Sequence, residues 1–218
     1  MAPDGGNFPI LDGQTVIFIG DSITDCGRRG EARPFGNGYV QCVIDLITAR
    51  YPQRRITYNN KGVSGDTSVG LHARWGDDVI ALDADWVSVL IGINDLHRRF
   101  SPGAEDVPPQ RYEQAYRAFL AQTAAETEAR LILMDPFYVS SETRRESPRA
   151  EALDGLGEYI EVVHELADEF DTLHVPLHEV FQKQLQFRPA DLFGAEPVHP
   201  NQFGHTVIAE AWLSAVGW

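Results

Sequence analysis

Short apolar segments alternate with longer segments of helical periodicity along this 218-residue chain. Residues 15–19, 55–59, 86–91, 131–134 and 172–175 have the length and apolar character of buried strands. Strands that alternate with helices are typical of a parallel sheet. The run WVSVLI at residues 86–91 is the strongest strand pattern, so we expect it at the centre of the sheet.

Six segments carry apolar residues at helical spacing, namely residues 38–51, 67–82, 109–130, 149–170, 177–187 and 202–216. Two longer stretches, residues 95–108 and 138–148, are predicted to be loops. The chain is therefore predicted to form one α/β domain over residues 1–218. Its expected architecture is a three-layer α/β/α sandwich, flavodoxin-like, around a five-stranded parallel sheet. In such sheets the site lies beyond the carboxyl ends of the strands.

The chain is strongly acidic, with 18 basic and 32 acidic residues and a formal net charge of −14. Nucleic-acid binding needs a basic footprint, and anionic membrane surfaces attract basic segments, so neither partner is expected. No window of the sequence approaches the roughly 20 continuous apolar residues that span a bilayer. The charge balance favours a neutral small-molecule substrate.

The N-terminal segment and the cysteines indicate a reduced, cytoplasmic protein. MAPDGGNFPILDGQ has neither the basic nor the apolar region of a signal peptide. Cys26 and Cys42 have no paired or metal-binding spacing, which favours two reduced thiols over a disulfide. The sequence contains no HExxH motif, Cys/His cluster or dinucleotide fingerprint, so neither a metal nor an organic cofactor is expected.

The motif Gly20-Asp21-Ser22-Ile23-Thr24 directly follows the first predicted strand. A serine at such a turn can present its hydroxyl to solvent while its own backbone N–H faces a bound carbonyl. Taken alone, the motif is more typical of an ordinary polar turn or a helix N-cap.

Two further motifs follow the second and third predicted strands. Gly65 lies in KGVSGDT, where a glycine lets the backbone approach a ligand and donate its N–H to an oxyanion. Asn94 lies in GIND, where its side-chain amide can serve as another donor. The alternatives are a loop ending in a helix cap at Asp66 or Thr67, and a turn of small polar residues.

Glu196 and His199 lie three residues apart, just before the last predicted helix. A hydroxyl nucleophile requires a base, and the base requires an orienting carboxylate. This spacing can let Glu196 reach Nδ1 of His199 while Nε2 faces Ser22. The remaining histidines lack such a context and are interpreted as surface or packing residues: His72, His97, His164, His174, His178 and His205.

In this order, the four motifs match the four sequence blocks of the SGNH/GDSL hydrolase superfamily, which the chain resembles over nearly its whole length. It looks closest to the intracellular acetylxylan esterases of that superfamily. The closer likeness rests on the segments FIGDSITDCGR, NKGVSGDTS, HARWGDDVIALDADWVSVLIGINDLHRR, LILMDPFYV and VHPNQFGH.

The resemblance implies the SGNH hydrolase fold and a catalytic role for each motif. Ser22 matches the nucleophile and His199 the base, while the Ser22 N–H, the Gly65 N–H and the Asn94 side chain match the oxyanion hole. The superfamily pattern has aspartate three residues before the histidine, where this chain has Glu196. We therefore expect a Ser-His-Glu triad. The alternative is that Glu196 points to solvent and a backbone carbonyl orients His199.

The implied function is cofactor-free hydrolysis of acetyl esters on xylo-oligosaccharides or similar sugars. One alternative is a general short-chain esterase, thioesterase or lysophospholipase on the same scaffold. Another is an inactive carbohydrate-binding relative whose triad decayed at Glu196. Because close relatives tend to assemble, the resemblance also implies a homo-oligomer.

Four residues near the motifs are interpreted as structural. Asp21 and Asp95 should brace loops by accepting backbone N–H bonds, and Trp75 and Trp86 should pack in the core. Residues that line the site are expected in the two long loops: Arg98, Arg99, Phe100 and Tyr138.

Overall fold

The structure is a computed structural model that describes residues 8–100, 105–142 and 147–218. Its centre is a parallel sheet of β1 Thr15–Gly20, β2 Thr57–Asn60, β3 Trp86–Leu90, β4 Arg130–Met134 and β5 Leu173–Val175. The five strands lie in the order β2-β1-β3-β4-β5. The predicted five-stranded parallel sheet, with the third strand at its centre, is therefore confirmed.

Helices cover both faces of the sheet. They are α1 Ser22–Asp25, α2 Tyr39–Arg50, α3 Ser68–Ala73, α4 Trp75–Asp78, α5 Ile93–Arg99, α6 Pro109–Glu126, α7 Pro148–Glu169, α8 Leu177–Leu185 and α9 Gln202–Val216, with 3₁₀ turns at Ile80–Leu82 and Ala190–Leu192. α2 packs against α9, whereas α6 packs against α3 and α7. The β1-to-β2 connection runs toward one edge of the sheet and the later ones toward the other. Right-handed crossovers then place these two groups of helices on opposite faces.

Both faces of the central strand lie in the core, since all five residues of β3 are buried. Trp75 and Trp86 belong to this core, as predicted. The indole N–H of Trp75 donates to Thr123 Oγ1 at 2.9 Å, and its ring stacks on Phe119 with centroids 4.3 Å apart. The Trp86 indole N–H donates to Gln14 at 3.1 Å. Both polar atoms are therefore satisfied while the rings remain buried.

The helix predicted over residues 67–82 is broken in the structure into α3, α4 and a 3₁₀ turn. The chain leaves helical geometry at Arg74, where φ is −110° and ψ is 5°. The guanidinium of Arg74 donates to Lys61 O at 2.7 Å and to Gly20 O at 3.2 Å. These acceptors lie at the end of β1 and just after β2, so apolar periodicity alone could not place the break.

The loop predicted over residues 95–108 begins as the last part of α5, which is a correction. Ile93 and Leu96 lie three residues apart and are both buried, which fixes one face of this short helix. Basic residues in its last turn favour the helical state through the helix dipole: His97, Arg98 and Arg99.

Smaller differences concern element ends. α6 stops at Glu126, so the end of the predicted helix 109–130 belongs partly to β4. The four-residue helix α1 was not predicted. Arg144 and Arg145 of the predicted loop 138–148 lie outside the described residues. Within the three described ranges, no helix is both long enough and apolar enough to cross a membrane.

Candidate active site

The proposed nucleophile lies at the start of α1, directly beyond the carboxyl end of β1. Oδ1 of Asp21 accepts the Ile23 N–H at 2.9 Å and caps this helix. A Cβ atom on Gly20 would lie 2.1 Å from Leu90 O, so only glycine lets β1 approach β3 this closely. The cap and the close approach together fix the turn that presents the half-buried Ser22.

His199 lies in the turn before α9, within hydrogen-bonding distance of the serine. The distance from Ser22 Oγ to His199 Nε2 is 2.9 Å, and that from His199 Nδ1 to Glu196 Oε1 is 2.6 Å. Asn201 holds this turn against α9, because its side-chain oxygen accepts the N–H of Phe203 at 2.9 Å. A hydroxyl, an imidazole and a carboxylate thus form one hydrogen-bonded chain across 177 positions of sequence.

The Glu196 side chain folds back over its own turn. Oε1 also accepts the His199 backbone N–H at 2.7 Å, and Oε2 accepts the Val198 N–H at 2.9 Å. Partial burial alone would raise the pKa of Glu196, but the N–H donors of Val198 and His199 outweigh it and hold that pKa below its ordinary value. The carboxyl is therefore ionised where it faces the imidazole. The extra methylene of glutamate is accommodated in this folded-back conformation.

The two predicted oxyanion donors lie beyond β2 and β3. Gly65 has φ +80°, a backbone conformation that residues other than glycine rarely adopt. Asn94 Nδ2 donates one hydrogen to Asp66 O at 2.9 Å, which fixes the amide beside the Gly65 loop. Among the described residues, the N–H groups of Ser22 and Gly65 have no hydrogen-bond acceptor. Unpaired N–H groups are what an oxyanion hole requires.

Two polar residues that the sequence analysis missed join the serine turn to the Gly65 loop. Asp25 Oδ2 accepts both the N–H of Ser64 at 3.2 Å and its hydroxyl at 3.0 Å. Asn60 Nδ2 donates to Thr24 O at 2.6 Å, and its oxygen accepts the Gly62 N–H at 2.9 Å. No local pattern marks either residue, because each acts on a loop distant in sequence.

Arg74 is a third such brace. Besides Gly20 O and Lys61 O, its guanidinium contacts Asp66 Oδ2 at 2.8 Å and Asp78 Oδ2 at 2.7 Å. One partly buried arginine therefore connects the strand end before Ser22 with the loop on either side of Gly65. Its partners lie between 4 and 54 positions away, which no motif could indicate.

Asp21 and Asp95 have the bracing role that the sequence analysis predicted. Asp95 accepts the N–H of Ser68 at 3.0 Å and its hydroxyl at 2.6 Å, while Asp21 caps α1. Burial raises the pKa of Asp21 from 3.8 to about 7 and that of Asp95 to about 6. Oδ2 of Asp21 is buried and has no described hydrogen-bond partner.

We expect the substitution Asp21→Asn to weaken the pH dependence of stability. Between about pH 4 and pH 7 the folded chain keeps a proton on Asp21 that the unfolded chain releases. Wild-type stability should therefore fall as pH rises through this range, by at most about 4 kcal/mol from this group, and then level off. Urea unfolding at about pH 5 and pH 8 measures it. Parallel pH profiles for wild type and variant would contradict the expectation, and exposed Asp77→Asn is the matched control.

The residues expected to line the site divide into two groups. The Tyr138 ring packs edge-on against His97 with centroids 6.1 Å apart, and the next N–H, of Val139, donates to Pro197 O at 2.9 Å. This segment therefore lies beside the His199 turn. Arg99 and Phe100 instead contact α7. The guanidinium of Arg99 donates to Glu158, and the Phe100 ring lies beside Gly155. Arg98 lies close enough to influence Asp95 electrostatically.

His97 is half-buried and packs against Tyr138, in agreement with the predicted packing role. Burial lowers its pKa, and the charges of Glu196 and His199 both act on it. It therefore also belongs to the surroundings of the triad. His205, by contrast, is buried and packs as predicted.

Both cysteines are free, as predicted. Cys26 Sγ lies 3.3 Å from His205 Nε2, and Cys42 Sγ accepts a hydrogen from Gln202 at 3.3 Å. Burial raises the pKa of both thiols, so neither is an activated thiolate.

Comparison with known proteins assigns the chain to a family. Residues 18–207 match the GDSL-like Lipase/Acylhydrolase family. The chain belongs to this family. An acetylxylan esterase of Geobacillus stearothermophilus is 38% identical to this chain, and the match covers 96% of each protein.

Solved structures give the same assignment. Axe2, an acetylxylan esterase from Geobacillus stearothermophilus, superposes with a TM-score of 0.86 at 36% identity over 96% of both chains. LAE5, an alpha/beta hydrolase enzyme from the metagenome of Lake Arreo, Spain, has a TM-score of 0.85 at 33% identity, covering 95% of this chain and 96% of its own. This GDSL-family chain is therefore a carboxylic ester hydrolase with a small-molecule ester substrate, and its fold is the SGNH hydrolase fold.

Proposed function

We propose that this hydrolase is a serine esterase that removes short acyl groups, acetyl above all, from carbohydrate esters such as acetylated xylo-oligosaccharides. The observation that carries the catalytic part is the chain of contacts from Ser22 Oγ through His199 to Glu196, at 2.9 and 2.6 Å. The substrate class is supported by the acetylxylan esterase relatives.

The relatives also support the choice of triad residues. Axe2 has been solved as catalytic mutants in which a serine, an aspartate or a histidine is replaced by alanine. The replaced aspartate and histidine are three positions apart in Axe2, as Glu196 and His199 are here. The equal spacing supports Glu196 as the counterpart of that aspartate.

In the first half of the reaction, Ser22 Oγ attacks the acyl carbon and gives its proton to His199 Nε2. A carbon–oxygen bond forms, and the carbonyl electron pair moves to the carbonyl oxygen. Glu196, which is ionised, stabilises the imidazolium through Nδ1–H and keeps the ring in the tautomer that accepts at Nε2.

The N–H groups of Ser22 and Gly65 and the remaining amide hydrogen of Asn94 then stabilise the oxyanion. When the oxyanion collapses, the bond to the sugar oxygen breaks, and that oxygen takes the proton from His199. Water attacks the acyl-enzyme with His199 again as base. Collapse of the second tetrahedral intermediate releases acetate and restores Ser22.

Asn94→Ala should lower kcat by about 10² to 10³, the usual effect of losing one oxyanion-hole donor. The substitution also removes the bond to Asp66 O, so we expect stability to fall by only about 1 kcal/mol. Steady-state kinetics and urea unfolding on the same preparation separate the two effects. Asn94→Asp keeps the size but places a negative charge beside the oxyanion, so it should be at least as slow. A kcat within a few-fold of wild type would remove Asn94 from the mechanism.

Acetate release from acetylated xylobiose, compared with p-nitrophenyl esters of increasing acyl length, tests the substrate class. We expect the highest kcat/KM for acetyl esters of the sugar and a decline as the acyl chain lengthens. Ser22→Ala provides the background rate. Activity confined to long acyl chains would overturn the carbohydrate assignment and favour a lysophospholipase or thioesterase.

A further inference from the structure

A second cluster of ionisable side chains lies near the β5 edge of the sheet, opposite the β2 edge. Asp135 directly follows β4, and its side chain is fully buried. His174 lies in β5, and His164 lies on α7. Ser22 follows β1, and β3 lies between β1 and β4, so the cluster is separate from the candidate active site. None of its three side chains has a role in the mechanism above.

Both imidazoles direct the same ring nitrogen at the one carboxylate. His174 Nε2 lies 2.7 Å from Asp135 Oδ1, and His164 Nε2 lies 3.3 Å from the same oxygen and 3.4 Å from Oδ2. The donor atoms of all three side chains lie within 4.8 Å of one another. The three residues lie in separate parts of the chain, and folding brings their side chains together.

The two imidazole rings lie close together beside the carboxylate, with centroids 4.4 Å apart. The buried carboxylate of Asp135 therefore faces two ring nitrogens from different elements. A divalent cation offers one centre of positive charge to two neutral ring nitrogens and a carboxylate.

We propose that Asp135, His164 and His174 form a binding site for one divalent transition-metal ion, Zn²⁺ in particular. Two histidines and one carboxylate, with an open fourth position, are a ligand set that Zn²⁺ accepts. Ligands about 2.0–2.2 Å from a tetrahedral zinc ion lie about 3.3 Å apart, so the distances from His164 to Asp135 already fit and that from His174 to Asp135 must lengthen by about 0.6 Å.

The two histidines of the cluster are partly exposed to solvent. The His164 side chain is 42% exposed and that of His174 is 25% exposed, whereas Asp135 is fully buried. An ion can therefore enter from the protein surface and keep one water ligand. Bound there, it would connect β4, β5 and α7 and stabilise the fold, without any part in ester hydrolysis.

Equilibrium dialysis of metal-stripped protein against ZnCl₂, followed by elemental analysis, tests the site. We expect one Zn²⁺ per wild-type chain. His164→Gln and His174→Gln should each weaken binding by at least about 100-fold, since second-shell changes alone cost 10- to 100-fold. His72→Gln, at an exposed histidine on α3, is the matched control and should bind as wild type does.

Cys26 and His205 form another contact between potential metal-binding side chains, so Cys26→Ser is a second control. We expect it to retain Zn²⁺. Loss of binding in Cys26→Ser, or full binding in both His164→Gln and His174→Gln, would overturn the proposal. So would a wild-type chain that takes up no Zn²⁺.

Two measurements on wild-type protein keep the proposal testable if the variants fold poorly. Zn²⁺ at about 100 times its Kd should raise Tm by about 5–10 °C. Co²⁺ in its place should give the visible spectrum of a tetrahedral site without the thiolate-to-cobalt band that coordination by Cys26 would produce. An unchanged Tm, or the thiolate band, would contradict the assignment.

Discussion

Ser22→Ala should lower kcat for ester hydrolysis by about 10⁶ with little change in KM, the usual effect of deleting the nucleophile of a triad. His199→Ala should have an effect of similar size, because the hydroxyl has no other base in contact with it among the described residues. The double variant should be no more than a few-fold slower than either single variant, since the two groups act as one unit.

The control for this prediction is Ser214→Ala, which removes an exposed serine hydroxyl from α9 far along the chain from the nucleophile. Stopped-time acetate assays and thermal unfolding on wild type and all four variants give rate and stability separately. A Ser22→Ala variant that keeps more than about a thousandth of the wild-type kcat would contradict nucleophilic catalysis by Ser22, because loss of a triad nucleophile costs about 10⁶ in kcat.

Glu196→Gln should lower kcat by about 10⁴, the effect measured when a triad acid is replaced by its amide. The amide carries no charge to stabilise the imidazolium. The carboxylate now accepts the backbone N–H groups of Val198 and His199, one on each oxygen. The NH₂ group of glutamine would face one of these donors and could not accept its hydrogen. Glu196→Asp keeps the charge and matches the residue that the superfamily pattern has here, so its loss should be clearly smaller.

Glu210→Gln is the matched control for the Glu196 series, because it removes the same charge from an exposed glutamate on α9. We expect its kcat to equal that of wild type. The informative comparison is kcat across Glu196→Asp, Glu196→Gln and Glu196→Ala. If Glu196→Gln and Glu196→Ala both stay within a few-fold of wild type, a backbone carbonyl orients His199 and the glutamate is not part of the triad.

The fold could be predicted because apolar segments of two different periods alternate along the chain. The last helix, predicted over residues 202–216, has the same bounds as α9. The break at Arg74 could not be predicted, because its cause is a set of hydrogen bonds to backbone carbonyls that only the tertiary structure brings near. α5 was missed since its apolar face consists of only a few residues in a segment rich in charge.

The site divides in the same way. Ser22, Gly65, Asn94 and the Glu196–His199 pair lie in motifs at strand ends, where the chemistry restricts residue type and spacing. Asp25, Asn60 and Arg74 brace those motifs from outside, and a residue that bonds a distant backbone carbonyl leaves no local pattern.

The same limit applies to the second cluster. The contact of Asp135 with His164 and His174 depends on the β4–β5 register and the position of α7. These residues are 29 and 39 positions from Asp135, a separation that resembles no metal-binding motif.

The central claim is that Ser22 is the nucleophile, made reactive by His199 and Glu196. Its most direct test is reaction with a fluorophosphonate probe, followed by mass spectrometry of the labelled peptide. The account predicts one probe per wild-type chain, attached to Ser22, with slower labelling in Glu196→Gln and none in Ser22→Ala. A probe attached to any other residue would contradict this claim. So would a wild-type protein that hydrolyses acetyl esters but remains unlabelled.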